Sequence, residues 1–238
     1  LRNLGQAALL GVAVLILPTW AVAQESKLDS ILASGKLRFG TTGDWNPMTM
    51  RDAATNTRTG FDIDVATALA ADLGVELEFV PTTWKTIVAG IQADAYDMTG
   101  SASVTAGRAK AAGYTQPYLA LATVPLTLEA NADKFNSIDA INQAGVTVAV
   151  TAGTSQQFQA PKMFPNATII KVEAPAREYG EVLSGRADVS ITSNVEANTL
   201  VANFDQLSIV PAKPYAPTLI AMLTPRDDQT WINYLNHW

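Results

Sequence analysis

Residues Tyr96 to Arg108 read YDMTGSASVTAGR and place three hydroxyls and a guanidinium where a strand hands over to a helix. Tyr96 to Thr99 has the character of a short buried strand, Gly100 reads as its break, and Thr105 is an N-cap residue for a helix that starts at Ala106. Ser101 and Ser103 alternate along an extended segment, so they can share one side of it. Arg108 falls in the first turn of the helix, where a cation meets the positive end of the helix dipole. Two readings account for it: an arginine leaning into water beside an ordinary cap, or a guanidinium that joins free helix N–H groups and hydroxyls in holding a carboxylate.

Outward from this stretch, strands alternate with helices. Upstream, Ser26 to Ser34 reads as a helix ended by Gly35, Lys36 to Thr41 as a strand, Phe61 to Leu73 as a helix with Asp62 as its N-cap, Val75 to Val80 as a strand, and Ile87 to Ala93 as a helix. Downstream, Leu119 to Leu128 is an apolar run of strand character, and Asn131 to Asn142 contains a helix. Gly145 to Val150 (GVTVAV) is a fully apolar strand, followed by a small-residue turn, 151–156, and a helix from Gln157. Ala167 to Val172, Val189 to Thr192, Leu207 to Val210 and Ile220 to Thr224 read as strands, with helices at Glu178 to Ser184 and Asp227 to Trp238. Such alternation predicts an α/β protein with largely parallel sheets, whose ligand sites lie beyond the carboxyl ends of the strands.

Composition narrows the function. The chain has 238 residues, 48% of them hydrophobic, a net charge of −6 and no lysine or arginine cluster, which argues against nucleic acid as a partner. It has no cysteine, and its single histidine is His237, so thiol chemistry, a histidine-based triad and a histidine-rich metal site are not expected. Arg2, the apolar run Ala7 to Leu17 and the A-x-A site Ala21 to Ala23 read as a secretory signal peptide over residues 1–23, cleaved after Ala23. The chain begins without Met and stops at Trp238 inside the helical stretch WINYLNHW, and so reads as truncated at both ends.

SASVTAGR (101–108), preceded by GFDIDVATALAADLG (60–74) and followed by YTQPY (114–118), resembles the family 3 periplasmic solute-binding proteins, which capture amino acids and related small acids. Within that superfamily the opening ESKLDSILASGKLRFGTTGDWNP (25–47) is most similar to periplasmic cyclohexadienyl dehydratases, enzymes built on the same fold. The resemblance implies a two-lobed type II periplasmic-binding fold with two hinge crossovers: residues 24–122 in lobe 1, 123–213 in lobe 2, and 214–238 back in lobe 1. It implies that Trp45 and Trp84 form a planar slot for the ligand, that Arg108 with Ser101 and Ser103 holds its carboxylate, and that Ser155 contacts the carboxylate from the other lobe. Ser193 stands where amino-acid binders usually carry an Asp for the α-ammonium. Thr42 likewise replaces an acid, for which Asp44 can substitute unless it only makes an Asx turn before Pro47.

Two functions follow from the resemblance. In the first, a periplasmic receptor hands a small carboxylate-bearing solute to an ABC permease at the inner membrane. In the second, the same cleft dehydrates and decarboxylates prephenate or arogenate, with Glu196 at the position of the dehydratases' general acid. Glu196 is otherwise an exposed glutamate in the first turn of a helix, favoured there by the dipole. Neither function calls for a metal or a cofactor.

Overall fold

The computed structural model describes residues 25–211 and 217–238. The segment 1–23, expected from its sequence to be a signal peptide, and residues 212–216, expected in the return crossover, lie outside the described residues. In chain order the first part contains α1 (Lys27–Ser34), β1 (Lys36–Thr41), a meander of β2 (Asp44–Trp45), β3 (Thr49–Arg51) and β4 (Arg58–Thr59), and α2 (Phe61–Leu73). It continues through β5 (Glu76–Pro81), α3 (Ile87–Gln92), β6 (Met98–Ser103), α4 (Ala106–Ala109), β7 (Gly113–Tyr114) and β8 (Leu119–Leu121). Next come β9 (Thr123–Leu128), α5 (Ile138–Ile141), β10 (Thr147–Thr151), α6 (Ser155–Met163), β11 (Thr168–Val172), α7 (Glu178–Leu183), β12 (Val189–Ser193), α8 (Asn194–Asn203) and β13 (Leu207–Ile209). The chain closes with β14 (Thr218–Thr224) and α9 (Gln229–His237).

The strands form two main sheets with the same plan. The first runs β5-β1-β6-β14-β7, with β8 also on β14, and the second runs β11-β10-β12-β9-β13. In each, three parallel strands are extended by an antiparallel one, β14 beside β6 and β9 beside β12. The antiparallel strands are those that carry the chain into or out of a lobe. The apolar run 119–128 is therefore two strands, β8 in one sheet and β9 in the other, parted at Ala122. Asn194 clamps this crossover: the Ala122 N–H donates to Asn194 Oδ1 at 3.0 Å, and the Asn194 N–H donates to the Ala122 carbonyl at 2.8 Å. Gln159 on α6 joins the two crossovers, accepting from Thr123 at 2.8 Å and donating to Thr218 at 3.1 Å.

Sheet burial explains the apolar strands. Alternate residues of β10 face opposite cores: Val148 and Val150 pack with Phe135, Phe164 and Ile191, while Ala149 packs with Leu126, Val182 and Leu200. A strand covered on both faces needs no polar alternation. In the first lobe Leu37, Phe39 and Met98 pack against Ile31 of α1, Leu69 of α2 and Trp231 of α9.

Three local expectations change. The strand predicted to break at Gly100 continues to Ser103, because β14 pairs along it with a bulge that absorbs the irregularity. Gly60, not Asp62, occupies the N-cap of α2, and Asp62 turns inward and is buried. The helix expected from Gln157 starts at Ser155, with Thr154 as its cap.

One carboxylate fastens both ends of the described chain to the first lobe. Asp228 accepts from Trp231 N at 2.9 Å to cap α9, and also from Lys27 N at 2.6 Å and Ser26 Oγ at 2.8 Å at the start of α1. Asp228→Ala removes both interactions and is expected to cost about 2 kcal/mol, roughly one for each helix start. Urea unfolding monitored by circular dichroism checks this; an unchanged midpoint would contradict it.

Candidate functional site

The carboxyl ends of the parallel strands in both sheets converge on a cleft that, with the lobes closed on each other, encloses about 40 Å³ of free space. Trp45, Trp84, Ser101, Ser103, Ser155, Ser193 and Glu196 line it. Asp44 and Arg108 lie beside it rather than on its wall. The lobes are closed on each other, and several of these residues make the closure. Trp45 Nε1 donates to Ser193 Oγ at 3.1 Å, and Ser103 Oγ lies 3.0 Å from Ser155 Oγ. Gly153 has φ +80°, and a Cβ there would sit 2.3 Å from Lys85 N, so only glycine lets the two backbones approach this closely.

The tryptophans do not form parallel walls. Their ring centroids are 5.6 Å apart and their planes meet at 79°, an edge-to-face pair. Trp84 Nε1 donates to Asp44 Oδ1 at 3.1 Å, so Asp44 positions an aromatic. A flat ligand can lie against one ring but not between the two.

Arg108 bridges the lobes through carbonyls, donating to Ser103 O at 3.3 Å and to Gly153 O at 3.0 Å. Burial pulls its guanidinium below the ordinary value, with Tyr114 opposing. Among the described residues no carboxylate pairs with it. A largely buried cation without a counter-ion, beside a cleft lined by hydroxyls, suits an anionic group.

The opposite wall holds a charge network that sequence reasoning missed. Arg177 donates from Nε to Glu178 Oε2 at 3.0 Å and from Nη2 to Glu196 Oε2 at 2.9 Å, and reaches across to the Asp44 carbonyl. Asp44 Oδ2 is 3.9 Å from its Nη1. Thr151 donates to Glu178, and Thr192 to Glu196. Burial would lower Arg177, but Glu178, Glu196 and Asp44 outweigh it and hold the guanidinium above its ordinary value.

Glu196 is buried at 2% exposure, not the exposed residue its helical position allowed. Burial pushes its carboxyl up to about 7; Arg177 pulls against this, Glu178 adds to it, and Thr192 opposes. Both recorded bonds to its side chain fall on Oε2, leaving Oε1 for the cleft that Glu196 lines. The available signal for Arg177 was its place in the loop after β11, at the carboxyl end of a strand in the second sheet.

Residues 37–238 match the bacterial extracellular solute-binding proteins, family 3. The chain belongs to this family. It is 33% identical over 239 residues to the cyclohexadienyl dehydratase of Pseudomonas aeruginosa, covering 100% of this chain and 88% of that protein. Among solved structures it is similar to the ancestral amino acid-binding protein AncCDT-1, a precursor of cyclohexadienyl dehydratase, with 34% identity, a TM-score of 0.82, and 90% and 92% of the two chains covered. It is also similar to a point variant of an ancestral cyclohexadienyl dehydratase, AncCDT-3, with 40% identity, a TM-score of 0.52, and 90% and 89% covered. The type II two-lobed fold follows from these neighbours as it does from the sheet plan.

The network sets a pH dependence of stability. The folded-state value of Glu196 lies above its ordinary 4.5, so between about 4.5 and about 7 the unfolded chain releases this proton first. Its contribution to stability is full below that window and declines as pH rises across it. Arg177→Met strips the cation from two buried carboxyls, extends the window upward, and is expected to cost about 3–5 kcal/mol at neutral pH. Thermal unfolding at pH 5 and pH 8 checks this: the deficit should be larger at pH 8, and an equal deficit at both would contradict the account.

Proposed function

We propose that this cleft captures a small carboxylate-bearing molecule in the periplasm and, through Glu196, dehydrates it as a cyclohexadienyl dehydratase does. The observation that carries the enzymatic reading is the buried Glu196 carboxyl, held on one oxygen by Arg177 and Thr192 and lining the cleft with a value raised to about 7. A pure receptor has no need of an acid that keeps its proton up to near neutral pH, whereas a general acid does.

In prephenate the ring hydroxyl and the ring carboxylate leave together. Glu196 donates its proton to the departing hydroxyl, which leaves as water. The ring carboxylate leaves as carbon dioxide, its bonding pair completes the aromatic ring, and phenylpyruvate results. Glu196, now ionised, regains a proton from solvent. Arg108 with Ser101, Ser103 and Ser155 orients a carboxylate, and Trp45 offers a face for the ring.

The family and the structural likeness to an amino acid-binding protein support a second reading. There the protein is a receptor that delivers an amino-acid-like solute to an ABC permease. Ser193 in place of an acid argues against tight capture of an α-ammonium, because its hydroxyl already accepts from Trp45 and caps α8.

Incubation of the protein with prephenate, reading phenylpyruvate formation, separates the two. Turnover is expected in the wild type and its loss in Glu196→Gln, with prephenate binding retained. The rate should fall as pH rises through about 7, as Glu196 gives up its proton. Absence of turnover in the wild type would return the protein to the receptor class. Under either reading Arg108→Ala is expected to weaken carboxylate binding by about 2–5 kcal/mol, measured by calorimetric titration. Unchanged affinity would remove Arg108 from the site.

A further inference from the structure

Another buried acid lies beneath the cleft, on the first lobe. Asp62 in the first turn of α2 is 4% exposed, and its Oδ1 lies 2.5 Å from Ser101 Oγ. Ser101 is itself 3.0 Å from the Tyr118 hydroxyl, which also accepts from the Ser101 N–H at 2.7 Å. The backbone is bent to make this contact. Ser101 has φ +32°, in the left-handed region that disfavours serine, and lies where β6 and β14 slip register. A Cβ on Gly100 would sit 2.5 Å from the Asp62 carboxyl carbon. Strain of this kind persists only where surrounding contacts hold it in place.

No cation neutralises Asp62 among the described residues. Of the cations on the elements packed against α2, Lys36 pairs with Glu78, Arg38 with Asp94 and Asp97, and Arg51 donates to Asn56, while Arg58 lies over the Phe79 ring with its buried Nε unpartnered and makes no ion pair with Asp62. The other acid in the first turn of α2, Asp64, is exposed, as is Glu76 on β5. Burial pushes the Asp62 carboxyl up to about 7, with Ser101 opposing.

A serine hydroxyl has one hydrogen and two lone pairs. Tyr118 can donate to one lone pair of Ser101 Oγ. With Asp62 ionised, the Ser101 hydrogen goes to Asp62, and the remaining lone pair faces the cleft and repels an anion. With Asp62 protonated, its O–H fills that lone pair, and the Ser101 hydrogen is free to point into the cleft.

We propose that Asp62 is a positioning residue that makes Ser101 a hydrogen-bond donor to the ligand carboxylate only when it holds a proton, so that ligand capture is coupled to proton uptake at Asp62. This rests on the carboxylate reading of the cleft. The proton comes from solvent to Asp62, Asp62 donates to Ser101 Oγ, and Ser101 donates to the bound carboxylate; on release the order reverses.

Glu196 also titrates near neutrality, so the test uses the Glu196→Gln protein, in which it is silent. Binding of prephenate, L-arginine, L-glutamine and L-cystine is measured by calorimetry at pH 6 and pH 8, in two buffers of different ionisation enthalpy. Whichever ligand binds should bind about tenfold more weakly at pH 8 and take up close to one proton at pH 8. Adding Asp62→Asn, or Ser101→Ala should the asparagine variant fail to fold, should abolish both the pH dependence and the proton uptake. A purely structural role for Asp62 would move affinity at both pH values alike. Binding without pH dependence, or pH dependence that survives both substitutions, overturns the inference and leaves the carboxylate reading standing. Failure of every ligand to bind overturns the carboxylate reading and the inference with it.

Discussion

The site depends on one buried cation having to satisfy more than one carboxylate. Arg177 stands between Glu178 and Glu196 on its own lobe and reaches Asp44 on the other. Inside a protein an unpaired charge is costly, and so is a surplus of one sign. The surplus here is negative. Burial is the main reason that the Glu196 carboxyl stays neutral higher in pH than an exposed glutamate would, and the neighbouring Glu178 charge, which that proton relieves, adds to it. The same guanidinium reaches across to the Asp44 carbonyl, so closure of the lobes and the protonation of Glu196 are bound to one group.

The fold brings these groups together by repeating one plan. Each sheet sends the ends of its parallel strands toward the other, and each lobe contributes a helix start at that edge: α4 and α6 with Thr105 and Thr154 as caps, and α8 with Ser193. Cap residues are small and hydroxylic because they must accept from a helix N–H. Ser193 thereby does two things at once, receiving Trp45 from the facing lobe while it caps α8. The crossovers are fastened by Asn194 and Gln159, which belong to the helices whose first turns face the cleft. The two crossovers and the proposed ligand contacts therefore share the same elements.

Much of this was legible in the chain. Alternating strands and helices, the capped start at Thr105 and the apolar strand expected at 145–150 follow from periodicity and residue type, and the resemblance pointed to Trp45, Ser101, Ser103, Ser155 and Glu196, which line the cleft. Asp62 was misplaced because aspartate near a helix start usually caps it. Here Gly60 has the backbone freedom to occupy that position, and the carboxyl is left to turn inward. Arg177 was missed because nothing in PAREYGEV separates a buried arginine from a solvated one. Its role exists only through Asp44, Thr151 and Glu196, which are distant in sequence.

By itself the sequence determined the elements, their order and the family, because hydrophobic period, turn residues and caps act over a few neighbours at a time. Tertiary structure decided which groups are buried together: the edge-to-face setting of Trp45 on Trp84, the counter-ions of Arg177, the isolation of Asp62 and the raised values of Asp62 and Glu196. Charge state in a protein interior is set by dielectric and by partners brought from far along the chain. No local pattern carries that information until the chain is folded.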